Sequence, residues 1–350
     1  MDGIRHPLVP DSNPRQSRSI RIVRRLPSPA YLWFLGLLSV PSMFFGRLES
    51  LEGFVLFFLF GLWPVLAGIV SGLWSDGEVD AVDPIEWIDL GDGATRVRVS
   101  VGTVLTMFQP IVAVTGLLQF AGHLPIVLRY RGRLPDPERY ESAVDYRLPV
   151  EGRWTVVNGS PDRRYSHSWS ILTQRYASDL VITDAEGRTH EGERTGPEAH
   201  YCFDEPIVAP ADGIVVATRN DHRDYHRTDG WLDPLQRDLR GNHVTIEHAG
   251  GEYSVLAHLK RGSVTVTEGD RVERGAVIGR CGNSGNSTEP HLHFHVQDHP
   301  NFFLGMGLPV QFTDIVTETP GNEPVRHDRS YVHAGQLVSV GSSETDERSD

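Results

Sequence analysis

Residues 287–296 read STEPHLHFHV, and the reading of this short stretch decides the fold. His291, His293 and His295 alternate with Leu292 and Phe294. Side chains on a strand repeat with a period of two, so the three imidazoles share one side while Leu292 and Phe294 point into a core. A row of imidazoles drawn out of water is unfavourable unless something uses the nitrogens, and neutral imidazole is a common zinc ligand. H-x-H on a strand can supply two ligands, or one ligand and a neighbouring base. The same pattern also occurs as the plain polar face of a strand.

The flanking sequence has the same texture. PIVAPADGIVVATR (206–219), GNHVTIEHAGGEYSVLAHL (241–259), SVTVTEGDRVERGAVIGRCG (263–282) and PHLHFHVQ (290–297) each read as strand, turn, strand. They are rich in β-branched residues and punctuated by Asp212-Gly213 and Gly250-Gly251. No amphipathic helix interrupts them, which predicts a mainly antiparallel β domain over residues 147–317. Residues 219–241 are polar and aperiodic and read as a long insertion in which His222 and His226 are solvated. Residues 318–350 read as an acidic tail, disordered near its end.

From 240 to 296 the order of motifs is similar to that of the lysostaphin/LytM-type zinc metallopeptidases, with their barrel-like duplicated-hybrid-motif β domain. The matching pieces are Gly241 to His248, Tyr253 to Leu259, Gly269 to Gly285 and Pro290 to Phe294. Upstream, PIVAPADGIVVA (206–217) resembles the family's strand pair, and SHSWSILTQRYASDL (166–180) its first metal-ligand region. The resemblance covers about residues 150–300, under half of the chain.

It implies one Zn²⁺ per domain, held by His167, Asp179 and His293, with His258 and His291 flanking the open position. These two would activate the water and steady the tetrahedral oxyanion. The chemistry is coherent. Zinc lowers the pKa of bound water to about 7, and an imidazole titrating near 6.5 can take and return a proton there. Two nitrogens and one carboxylate leave a divalent ion with a net charge of plus one, which suits an anionic intermediate. Two departures stand out. His295 occupies a position that is often acidic or an amide, and the spacing from His167 to Asp179 is wide, which makes His190 and His200 the alternatives to His167. The reading is a membrane-anchored zinc metalloendopeptidase hydrolysing peptide bonds of a cell-envelope polymer or protein. The alternative is a non-catalytic envelope-binding or activator module of the same fold.

The membrane expectation comes from the N-terminal region. Residues 1–25 carry Arg5, Arg15, Arg18, Arg21, Arg24 and Arg25 and read as a cytoplasmic tail under the positive-inside rule. Residues 26–46 and 53–75 are uncharged and of membrane-spanning length, joined by the turn RLESLE (47–52). No small-residue cleavage site follows the first run, so it reads as a helix rather than a leader. A third uncharged run, 99–128, is either a crossing or an interfacial segment. Two or three transmembrane helices would thus precede the β domain, and three would make a multi-pass protein with an extracytoplasmic peptidase domain. None of the runs holds Asp, Glu, Lys or Arg, which argues against a transporter.

Composition adds bounds. The formal net charge is −13, and Lys260 is the only lysine among 33 basic residues, a balance that fits a halophile or a GC-rich genome. Nucleic acid is excluded as a partner, because no sizeable basic stretch lies beyond the N-terminal tail. Cys202 and Cys281 lack the C-x-x-C spacing of a cysteine zinc site and read as buried thiols.

Overall fold

The computed structural model describes residues 46–62, 109–166, 168–194 and 196–341, together with positions 35–36, 39, 87–89, 98, 101–102 and 105–106. The chain divides into two compact units, Met1–Gly77 and Glu78–Asp350.

In the first unit the described segment is a 3₁₀ helix, Gly46–Leu62, kinked at Leu48. It runs through residues 47–52, where a turn was expected, and into the second apolar run. Phe54 and Phe57, three apart, stack at 5.7 Å, as side chains do when a 3₁₀ helix eclipses positions i and i+3. Most of the runs 26–46 and 53–75 lies outside the described residues.

The second unit is built on twelve strands. In chain order these are β1 (Arg153–Asn158), β2 (Ser178–Val181), β3 (Pro206–Val208), β4 (Gly213–Arg219), β5 (Asn242–Glu247), β6 (Tyr253–Leu259), β7 (Arg271–Val272), β8 (Val277–Arg280), β9 (Leu292–Gln297), β10 (Phe312–Glu318), β11 (Val325–Ser330) and β12 (Leu337–Val340). Ten form one sheet in the order β11-β10-β12-β1-β2-β9-β6-β5-β4-β7, and β3 pairs with β8 in a second, small sheet. Every strand pairing is antiparallel, as expected. Among the described residues the order is a linear ladder from β11 to β7 rather than a closed barrel.

The β9 alternation has the predicted sides. Leu292, Phe294 and Val296 enter the main core, together with Trp154, Leu180, Ile246, Leu256 and Ile278. The opposite side is also covered: His293, His295 and Gln297 are all buried, and Phe302 lies against the His295 ring at 6.0 Å.

Both domain edges differ from expectation. Buried Glu252 accepts from Tyr140 and Ser142 hydroxyls and the Ala143 amide at 2.8–2.9 Å, and from Tyr146 at 2.9 Å. This carboxylate ties residues 140–146 to the β5–β6 turn, so the packed domain begins before residue 147. At the other edge, β11 and β12 pair with β10, and β12 also pairs with β1, so residues 318–341 belong to the sheet rather than to a tail. Val338 and Val332, buried in an otherwise polar sequence, anchor that segment. The insertion between β4 and β5 has the expected irregular form, but His222 is buried rather than solvated. Its amide donates to Asn242 and its Nε2 accepts from the Arg237 amide.

In the third apolar run the described residues 101–102 and 105–106 are helical, and after extended Gln109 a long helix follows, α1 (Pro110–Arg129). Pro110 sits in its first turn, and the Gln109 side chain caps it by accepting from the Val112 amide at 2.6 Å. It ends in a Schellman turn in which Gly132 N–H reaches Val127 O and Arg131, at φ 51°, reaches Leu128 O. Among the described residues α1 is the one helix long and apolar enough to cross a membrane, so the two or three crossings that were expected find one candidate helix.

Candidate metal centre

Strand β9 lies between β2 and β6, and that placement gathers the site. Asp179 on β2 and Ala257 on β6 both stand opposite His293, which puts His258 one residue from the pairing. His293 Nδ1 is 2.8 Å from Asp179 Oδ1, and His291 Nε2 is 3.9 Å from the same oxygen. The His258 ring centroid is 4.7 Å from that of His291 and 5.8 Å from that of His293. Four of the five residues read from the sequence are thus brought together. The fifth, His167, lies outside the described residues, between buried Ser166 and Ser168. Among the described residues no group of three or more His, Cys, Asp or Glu side chains could hold a metal ion.

The local backbone explains how each group is aimed. The β1–β2 ladder is irregular between Val156 and Asn158, and the Asn158 amide donates to Asp179 Oδ2 at 2.9 Å. One carboxylate oxygen is thereby fixed and the other left towards the histidines. His258 sits at φ 62°, a left-handed conformation that costs a non-glycine residue roughly 1–3 kcal/mol and clusters at functional sites. Its amide donates to Arg240 O at 2.8 Å, and its carbonyl accepts from the Gly282 amide at 3.0 Å. A Cβ on Gly282 would meet the Lys260 amide nitrogen at 2.3 Å, so this approach needs a glycine.

The hydrogen-bond network assigns the tautomers. The Gln297 amide nitrogen donates to His299 O at 2.6 Å, which leaves Oε1 to accept from His295 Nε2 at 3.1 Å. Burial holds the His295 pKa down at about 3, so its ring is neutral and its Nδ1 accepts from His293 Nε2 at 3.0 Å. A neutral His293 then has its Nδ1 lone pair facing a carboxylate oxygen. Two acceptors 2.8 Å apart need a cation between them, either a proton or a metal ion. That donor set, one nitrogen and one oxygen with the far ring nitrogen anchored, fits zinc.

The flanking imidazoles are held in the same manner. His258 Nδ1 donates to Ser284 O at 2.8 Å and His291 Nδ1 to Glu289 O at 2.9 Å, so both Nε2 lone pairs are free to act. Desolvation first, then the neighbouring His291 and His293, holds the His258 pKa well below its ordinary value. His190 and His200 form a cluster of their own. Their rings meet at 5.5 Å, Arg194 Nε donates to His190 Nε2 at 2.9 Å, and His200 Nδ1 lies 3.9 Å from Glu289. Asn158, Ser284, Glu289 and Gln297 support the site without having been singled out. For Gln297 the period-two continuation of the histidine row was the available signal. Asn158 and Glu289 are set by tertiary pairing and had none. Cys202 and Cys281 are both buried free thiols, as expected.

Residues 193–303 match the family model of peptidase family M23. That segment holds His258, His291 and His293, while His167 and Asp179 precede it. The peptidoglycan DD-endopeptidase ShyA of Vibrio cholerae is 27% identical over 150 residues, 43% of this chain and 26% of that protein. The DD-carboxypeptidase/endopeptidase Mpg of Neisseria meningitidis is 38% identical over 115 residues, 33% of this chain and 21% of that protein. The chain thus spans about a quarter or less of the length of these curated relatives. Among solved structures, a zinc-containing peptidase from Vibrio cholerae is similar at 22% identity and a TM-score of 0.29, covering 47% of this chain and 41% of its own.

Proposed function

We propose that residues 140–341 form a zinc-dependent endopeptidase of the M23 type, which hydrolyses peptide bonds in a cell-wall polymer or another envelope peptide and is attached to a membrane by the apolar region before it. The observation that carries this reading is the 2.8 Å approach of His293 Nδ1 to Asp179 Oδ1, with His258 and His291 flanking the pair. Asp179 and His293 would hold the ion, with His167 as the third ligand.

A bound zinc ion supplies Lewis-acid polarisation of a water molecule and of the scissile carbonyl. The chain's own residues do the rest. His291, with Nδ1–H fixed on Glu289 O, offers Nε2 as the proton acceptor when water attacks, and returns that proton to the departing amine. His258 offers a second Nε2, and its depressed pKa keeps it unprotonated across neutral pH. His295 and Gln297 hold the His293 ring in the tautomer that keeps Nδ1 available. ShyA and Mpg are named as endopeptidases, and ShyA as acting on peptidoglycan, which supports a murein peptide as the first substrate to test.

The test is to measure metal content and peptide cleavage together on purified protein, with products of muropeptides identified by mass spectrometry. Stoichiometric zinc with a new amine terminus is the expected result. The alternative reading is a non-catalytic envelope-binding module of the same fold. Protein without zinc that still binds murein would select it.

A further inference from the structure

Helix α1 is turned inside out for a water-exposed helix. Val112, Thr115, Gln119, Gly122, His123, Ile126 and Tyr130 are the positions shielded from solvent. Their spacing of three and four makes one continuous stripe along the helix. This stripe lies on the β domain from end to end. Gln109 Nε2 donates to Gln236 O at 3.1 Å near the start. His123 Nε2 accepts from the Leu172 amide at 3.2 Å in the middle. Arg129 and the Tyr130 hydroxyl bond Asp298 at 2.8 and 2.6 Å at the finish. A Cβ on Gly122 would fall 1.8 Å from Phe303 O, so the approach is too close for any other residue. The outward face is apolar: Val114, Leu118, Leu124 and Leu128 are each 48–66% exposed.

A helix that crossed a bilayer would have to sink the domain surface alongside its interior, the Leu172 amide and the Phe303 carbonyl included, into the hydrocarbon. A helix lying in the membrane plane would not. We propose that α1 is an in-plane membrane helix: its outer face sits in one leaflet of a lipid bilayer and its inner face remains fixed on the β domain. Lipid is the occupant that the surface fits. No charge occurs from residue 110 to 128, and the exposed Arg131 and Arg133 follow immediately at the end, where they can meet anionic headgroups. This rests on the membrane attachment proposed above and is independent of the peptidase activity.

Depth measurement tests it. Single cysteines at Ile111, Val114, Leu118, Leu124 and Leu128 of the full chain carry an environment-sensitive fluorophore; Cys202 and Cys281 are buried and compete little for it. The proteins are bound to phosphatidylcholine/phosphatidylglycerol vesicles containing nitroxide lipids, labelled either near the headgroup or near the bilayer centre. In-plane placement predicts the same shallow depth at all five positions, roughly 5–10 Å, so the ratio of shallow to deep quenching stays within about two-fold. A ratio that falls to a minimum between Ile111 and Leu128 means a crossing and overturns the proposal. Absence of quenching at every position means that protein, either residues 26–75 or a second copy, covers the face, and it overturns the proposal equally. Hydrolysis of muropeptides is read separately, so failure of the depth test and failure of the peptidase reading are distinguishable.

Discussion

Two clusters in this domain have nearly the same ingredients. One sets Asp179 beside His293, His291 and His258; the other sets Glu289 beside His190 and His200. They differ in what surrounds the donors. In the first, Gln297 and His295 anchor the far nitrogen of His293 so that its Nδ1 faces the carboxylate, and Asn158 occupies the other carboxylate oxygen. In the second, the Arg194 guanidinium already binds His190 and lies 3.6 Å from Glu289, and neither ring nitrogen of His200 makes a hydrogen bond. A fixed positive charge among the donors takes the place a metal ion would need. Residue type alone does not make a metal centre; what orders the second layer does.

Substitutions can break or sharpen that contrast. The largest effect is expected from His293→Ala, which should abolish zinc binding and hydrolysis together, read by metal analysis and peptide cleavage. If this variant keeps both, the first cluster is not the centre. His291→Ala should retain zinc and slow turnover by about 10²-fold or more, a general acid–base magnitude. Loss of metal in this variant would make His291 a ligand. Gln297→Ala should weaken zinc affinity by roughly 10–100-fold while the fold persists, measured by competition with a chelating dye, because only the anchoring of the far nitrogen is removed.

The second cluster should respond to acid instead. Burial lowers the His200 pKa from 6.5 to about 3, so the unfolded chain takes up that proton first. The stability this contributes is complete above pH 6.5 and is lost as the pH falls from 6.5 towards 3. His200→Leu should therefore gain on the parent by about 2 kcal/mol between pH 7 and pH 5 in urea unfolding, with hydrolysis unchanged. A gap that does not depend on pH would show that His200 is protonated in the folded state.

Much of the site was legible because a strand reports its faces directly. Leu292 and Phe294 against His291 and His293 separated core from chemistry in a single decapeptide. What escaped depended on partners far along the chain. Asn158 meets Asp179 only through the β1–β2 pairing, and the polar segments of β11 and β12 look like tail until β10 supplies a ladder. Local polarity also misled at His222, which is buried by tertiary contacts that a polar, aperiodic loop does not announce. For α1 the apolar run was plain, whereas its placement against the domain depends on Gln119, Gly122 and His123, which look like interruptions in a hydrophobic segment.

The pairing of Arg153 with Ser339 has a consequence for how such a molecule comes into being. The strand whose far end steadies the Asp179 carboxylate receives its other neighbour only after about 180 further residues have been synthesised, a long-range contact of the kind that folds late. Until then the irregular step at Asn158 lacks a backing strand. A nascent or prematurely released chain would thus carry the histidines without a firmly aimed acid beside them, and the proposed cutting ability would arrive only with completion of the sheet.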